Sequence, residues 1–214
     1  MKKTITVIFA VFTLCLVFLF IAPTTAEAAE VARGTCGDNL TWVLDDEGTL
    51  TISGTGDMKS YSSYYSHAPW YSSRTSIINV VIEAGVTSIG WNAFDGCSSL
   101  VSIVIPDSVT SIGDFTFDGC SSLTSITIPD SVPSIDNSAF RGCSSLTSIN
   151  IPDGVTSIGG SAFNGCSSLI SITIPNSVIS IGNSAFNGCS SLISITIPNS
   201  VPALAILRST AVAA

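Results

Sequence analysis

The stretch CSSLTSITIPDSVPSIDNSAFRG, residues 120–142, is one copy of a 23-residue unit that recurs before and after it. Cysteine falls at Cys97, Cys120, Cys143, Cys166 and Cys189, each followed by Ser-Ser-Leu and by an apolar, β-branched run that ends in proline. A fixed period of this length is the signature of a solenoid, in which each unit covers its neighbour.

Position by position, the unit carries an alternating strand pattern. In the fourth copy Leu146 is followed by Ile149 and Ile151, with Ser148 before the first isoleucine and Asn150 between the two. Period two with β-branched residues predicts a strand, and the following proline (Pro106, Pro129, Pro152, Pro175, Pro198) removes a ladder donor and turns the chain. Val155, Ile158 and Phe163 complete the inward set, and the Ala-Phe pair and glycine beside them suit a tight turn. One coil has too small a core to fold alone, so stability is expected to come from stacking against neighbours. An earlier window, residues 74–96, fits the same frame with Ile77, Val80, Ile82, Val86, Ile89 and Phe94 inward, although Arg74 replaces the cysteine and Glu83 the proline. Such departures are expected of a first, capping coil.

Outside the repeat the chain divides into three further parts. Residues 1–28 read as a signal peptide: Met1-Lys2-Lys3, an apolar run from Ile5 to Ala22, and Ala26-x-Ala28 before the cleavage point. The run is long enough that an uncleaved N-terminal anchor is the alternative, while Cys15 lies in mid-run, which argues against lipid attachment. Residues 29–73 form a small leader module. In it Thr41-Trp42-Val43-Leu44 and Thr49-Leu50-Thr51-Ile52-Ser53, joined by Asp45-Asp46-Glu47-Gly48, predict a β-hairpin that caps the solenoid. The Ser/Tyr-rich stretch from Ser60 to His67 has an adaptable binding composition; the alternative is a surface loop whose Trp70 packs on the first coil. The solenoid spans residues 74–201, as six coils of which the last is incomplete, and 202–214 form an irregular tail.

The formal net charge is −8, and it becomes −9 once Lys2, Lys3 and Glu27 leave with the signal. An acidic surface disfavours nucleic acid and anionic lipid as partners, and no membrane contact is expected after signal cleavage. Equivalent positions in stacked coils lie about 4.8 Å apart, within the Cα range of a disulfide. The cysteine ladder therefore reads as buried free thiols or as bridges between adjacent coils. There is no Cys-x-x-Cys pair and only one histidine, His67, so no metal or cofactor site is expected. Catalytic sets are equally absent from the reading: no Gly-x-Ser-x-Gly elbow occurs, and Asp107, Asp130 and Asp153 recur once per repeat after Ile-Pro, where a turn explains them.

The binding candidates are the outward residues of the predicted strands: Ser102 and Val104, Ser125 and Thr127, Ser148 and Asn150, Ser171 and Thr173, Ser194 and Thr196. A flat, uncharged strip of hydroxyls suits many weak contacts to a protein or glycan. It equally suits a plain solvated strand. Ice or crystal-surface binding is a distant alternative, since Val104 and Asn150 interrupt the strip.

Leu169, Ile172, Ile174, Pro175, Val178, Ile181, Gly182, Ala185, Phe186 and Cys189 match the repeat Leu-x-x-Ile-x-Ile-Pro-x-x-Val-x-x-Ile-Gly-x-x-Ala-Phe-x-x-Cys in full. In this the chain resembles the BspA-like leucine-rich repeat proteins of bacterial surfaces, over about residues 74–201. Gly34-Thr35-Cys36-Gly37 with Leu50-Thr51-Ile52-Ser53-Gly54 looks like the leader module such proteins often carry. The resemblance implies a leucine-rich repeat solenoid, a right-handed coil with one short β-strand per repeat. It also implies a secreted or surface-displayed, non-enzymatic scaffold that binds host or microbial surface proteins or glycans. A structural or truncated surface component without its own ligand is the alternative. Asp136 at a glycine position, Thr116 at an alanine position and the missing C-terminal segment depart from the family pattern.

Overall fold

Buried isoleucine alternating with exposed Ser or Thr leaves each unit one apolar and one wet face, and such a segment is stable only when paired on both edges. The computed structural model describes residues 28–62 and 64–201, so residues 1–27 of the predicted signal peptide, Cys15 included, and the tail from Pro202 lie outside the described residues. The leader contributes β1 (Glu30–Thr35), β2 (Leu40–Asp45), β3 (Thr49–Gly54) and β4 (Gly56–Asp57). A single 3₁₀ turn, Tyr71–Ser73, leads into the first coil, which holds β5 (Asn79–Ile82) and β6 (Val86–Ile89). Later coils supply β7 (Ser102–Val104), β8 (Ser111–Ile112), β9 (Ser134–Ile135), β10 (Ser148–Asn150) and β11 (Ser157–Ile158). The last are β12 (Ser171–Thr173), β13 (Ser180–Ile181) and β14 (Ser194–Thr196).

The predicted hairpin is present. β2 and β3 pair antiparallel with Trp42 opposite Ile52, and Asp45 Oδ1 accepts the Glu47 and Thr49 amides to close the acidic turn. Two features lie beyond the sequence reading. β1 adds a third antiparallel strand, and β3 pairs in parallel with β5, Leu50 opposite Val80 and Ile52 opposite Ile82. The leader thus extends the solenoid's own sheet and covers the edge that a first coil would otherwise leave unpaired.

Coils stack in parallel and in register, so each inward side chain meets its own copy one repeat away. Ser148, Ser171 and Ser194 pair in line, as do Ile149, Ile172 and Ile195. The predicted strand forms in every coil but the third, where Thr127 makes only an isolated bridge, and each coil from the first to the fifth also carries a short strand ending in Ser-Ile that belongs to a second ladder. Phe94, Phe117, Phe140, Phe163 and Phe186 are fully buried and stack with ring centroids 5.4–5.5 Å apart. Trp70 closes this spine: it stacks on Phe94 at 5.7 Å, donates its indole N–H to the Ala93 carbonyl at 2.8 Å, and meets Trp42 edge-on.

Cysteine lines the same interior. Among the described residues all cysteines are free and buried, so the ladder is one of thiols. Cys120, Cys143, Cys166 and Cys189 each donate S–H to a phenylalanine carbonyl of the previous coil at 3.2 Å. Burial pushes the Cys97 and Cys143 thiols up to about 12, which keeps both neutral.

The turn that carries Phe is the best-connected part of each coil. Asn92, Phe94 and Gly96 donate their amides to Asp114, Thr116 and Asp118 of the next coil. The same three bonds recur from Phe115, Phe117 and Gly119, from Ser138, Phe140 and Gly142, and from Ser161, Phe163 and Gly165, at 2.7–3.1 Å. Both strand ladders, by contrast, are interrupted between the coils that hold Ile103 and Ile126. The second ladder shows why. Thr110, Thr156 and Ile179 donate to the coil before, whereas Pro133 has no N–H to give. Asp136 stands where Gly113, Gly159 and Gly182 approach the previous coil. A Cβ on Gly182 would lie 2.3 Å from the Gly160 amide nitrogen, so a residue with a side chain forces the coils apart there. Asp136 is half-buried and accepts the Ser134 hydroxyl at 2.7 Å. Thr116, the other departure, is fully buried, with its hydroxyl bonded to the Gly113 and Gly90 carbonyls.

Two stability results are expected in urea denaturation. Phe140→Ala, which removes a ring stacked on both sides, should cost about 3–5 kcal/mol, and Phe186→Ala, with one stacked neighbour, less. Gly182→Ala should destabilise the chain despite alanine's smaller backbone entropy loss, because its Cβ has no room. An unchanged midpoint for either Phe140→Ala or Gly182→Ala would contradict this packing.

Candidate functional site

All ten predicted strip residues are exposed, and between them Ile103, Ile126, Ile149 and Ile172 point inward. The parallel register sets them in two columns, Ser102-Ser125-Ser148-Ser171-Ser194 and Val104-Thr127-Asn150-Thr173-Thr196. Ser125 and Thr127 join the strip through a single bridge, Thr127 to Asn150, because their coil lacks the full ladder. The strip also runs further than the repeat alone predicts. Asn79 and Val81 continue the two columns, Thr49 and Thr51 extend them onto the leader, and Ser102 Oγ donates to Asn79 Oδ1 at 2.8 Å. The alternation Thr-Leu-Thr-Ile in β3 is the sequence signal for this extension. Beside the strip stand the exposed aliphatics Ile78, Val101, Ile170 and Ile193. The face therefore offers hydroxyls and methyls without charge, a surface for broad contact and not for chemistry.

A concave feature lies at the turn edge, where the Tyr-rich leader loop meets the first three coils. It is an open cleft of about 620 Å³ whose walls include Tyr61, Tyr64, Trp91 and Phe115. Asn92 ties the coil to the loop by donating its side-chain amide to the Tyr61 carbonyl at 2.9 Å, and the Tyr61 amide donates to the Trp91 carbonyl. Asp95, Asp114, Asp118 and Arg141 supply its charge. Arg141 is forked onto Asp118 through Nε and Nη2, with its guanidinium 5.7 Å from the Phe115 ring centre. Asp114 Oδ1 accepts both the backbone and side-chain amides of Asn137. Burial, helped by the nearby Asp118 charge, raises the Asp95 carboxyl above its usual range, and Arg141, Arg74 and His67 pull the other way.

Of the two readings of the Ser/Tyr stretch, the geometry matches the surface loop anchored by Trp70. Trp70 packs into the core, while Tyr64 and Tyr65 remain exposed. His67 stacks on Tyr71 at 3.8 Å. Among the described residues no group of His, Cys, Asp or Glu is placed to hold a metal ion, and no helix is long and apolar enough to cross a membrane.

A profile of the BspA type leucine rich repeat region matches six copies in this chain, over residues 69–169 and 110–205. Among solved structures, a leucine-rich repeat protein from Bacteroides ovatus is 35% identical and aligns over 77% of this chain with a TM-score of 0.58. A leucine-rich repeat protein of T. pallidum is 32% identical over 73% of this chain and 68% of its own, with a TM-score of 0.56. A leucine rich cell surface protein from Faecalibacterium prausnitzii is 28% identical over 78% of this chain and 54% of its own, with a TM-score of 0.51. The chain spans 41% of the length of the Bacteroides ovatus protein. No curated protein matches it.

Asp95 gives a pH prediction. Its folded-state pKa stands above the usual 3.8, so the fold holds this proton more tightly than the unfolded chain does. That contribution favours folding at low pH and is lost as pH rises through the raised value. Asp95→Asn should therefore raise the melting temperature at pH 7, with the gain shrinking toward pH 4. A gain that grew on acidification would contradict the assignment.

Proposed function

As a member of the BspA-type leucine-rich repeat family, the chain is, we propose, an exported, non-enzymatic scaffold that recognises proteins or glycans of a host or microbial surface through its strand face. The observation that carries this is the strip itself: ten exposed, uncharged side chains in two columns, paired in register on either side of the one break in the ladder. A face of this kind loses little side-chain entropy on binding and spreads weak contacts over several coils. Export is supported by the Met1–Ala28 segment and by the likeness to a leucine rich cell surface protein.

Binding of the purified chain to immobilised matrix proteins, mucin and intact cells tests the proposal, with the Thr127→Lys, Thr173→Lys, Thr196→Lys triple variant beside it. Saturable binding is expected, and the folded triple variant should weaken it by about tenfold or more, since contact would bury unpaired ammonium groups. Full binding by the triple variant would move recognition off this face, and no binding to any target would favour a structural role.

A further inference from the structure

The uniformity of the repeat makes its exceptions informative. In the fourth and fifth coils the turn reads GGSAFNG (159–165) and GNSAFNG (182–188), small and neutral. In the first three it carries Trp91 and Asp95, then Asp114, Phe115 and Asp118, then Arg141. All six line the same cleft, opposite Tyr61 and Tyr64. Coil-specific chemistry is thus gathered at one place, and that place shares no residue with the strand face.

Phe115 is the sharpest exception. The turn needs a left-handed backbone at this position, and other coils place Asn92, Ser138, Ser161 and Ser184 there, at φ of 53–58°. Phe115 adopts the same conformation at φ 57°. Small polar residues tolerate it better than a bulky one, so the chain accepts backbone strain to set a phenyl ring on the cleft wall, and strain of this kind clusters at ligand sites.

The charge of the cleft selects its occupant. Three carboxylates face one guanidinium, which is already forked onto Asp118. Asp114 is left with amide donors alone, and among the described residues the Asp95 carboxylate accepts no hydrogen bond, its backbone amide alone being bonded, to the Asn92 carbonyl. Trp91 is about half exposed and Tyr64 more so, which leaves π faces free beside the acids. Aromatic faces with uncompensated carboxylates suit a cation, which gains from both the ring quadrupole and the charge. A neutral sugar would stack but leave both carboxylates unpaired, and an anionic group would be repelled. We propose that this cleft binds a lysine or arginine side chain of a partner polypeptide, held between Trp91, Tyr64 and Phe115 and paired with Asp95 and Asp114. Burial and the Asp118 charge raise the Asp95 carboxyl although Arg141, Arg74 and His67 lower it, so a further cation beside it is still favoured.

The test is an NMR titration of the full chain, following the Trp91 indole N–H. Trp42 and Trp70 are buried and serve as internal references. The probe is the blocked peptide Gly-Lys-Gly-Arg-Gly, compared with its acetyl-lysine, citrulline counterpart and with an N-acetylglucosamine oligomer. The basic peptide should shift Trp91 saturably and more weakly at high salt. Asp95→Asn and Asp114→Asn should each weaken it by roughly fivefold. Phe115→Ser, which installs the residue that other coils carry, should keep the fold and lose most of the binding. Equal binding of the neutralised peptide, a Trp91 shift by the sugar alone, no shift by any probe, or unaltered binding by folded Phe115→Ser would each overturn the proposal. The strand-face lysine variant should bind this peptide as the parent does, so failure here and failure of surface recognition are separate results.

Discussion

At the turns of the first four coils, three backbone amides point into the next coil and meet carbonyls one repeat on. The rest of the structure depends on this bond set. It fixes the rise between coils, and the Phe spine at 5.4–5.5 Å and the thiol-to-carbonyl bonds follow the same rise. The set also survives where the strands do not: Phe115, Phe117 and Gly119 donate to Asn137, Ala139 and Arg141 across the gap left by Pro133 and Asp136. A leucine-rich solenoid is usually pictured as held by its strands, but here the continuous column is the turn. Left-handed positions, the Gly96-type glycines included, are what let alternate amides face the neighbour.

The repeat frame was legible in the sequence because every inward residue is written five or six times in one register. Ile77, Val80, Ile82, Val86, Ile89 and Phe94 are all buried as the frame requires, although Arg74 and Glu83 disguise that coil. Other features lay outside any period. β1 and the parallel pairing of β3 with β5 join segments whose spacing differs from 23 residues. The second ladder rests on two-residue strands, too short to announce themselves by alternation. The state of the cysteines was open from spacing alone. It is decided by direction, since each Sγ from Cys120 onward turns to a phenylalanine carbonyl 26 residues earlier.

The candidate site divides in the same way. The ten strip residues were readable as outward strand positions, and their continuation through Asn79 and Thr51 follows once β3 is seen beside β5. The cleft was not readable, because it joins a non-repeating loop to three coils and becomes visible only when equivalent turn positions stand side by side. The two surfaces differ in physical character. One is long, uncharged and uniform, suited to many weak contacts, while the other is concave, aromatic and acidic, and built from residues that the fourth and fifth coils do not carry.

The claim on which this account rests is that the turn column, not the strands, is the continuous element of the solenoid. Amide hydrogen exchange measured residue by residue tests it most directly. The turn amides of Phe94, Phe117, Phe140 and Phe163 should exchange slowest and to similar degrees, while those of Thr124 and Asp136, which have no backbone acceptor among the described residues, should exchange much faster although they sit in mid-chain. Uniform protection of Thr124 and Asp136 with the rest, or turn amides that exchange before strand amides, would contradict it.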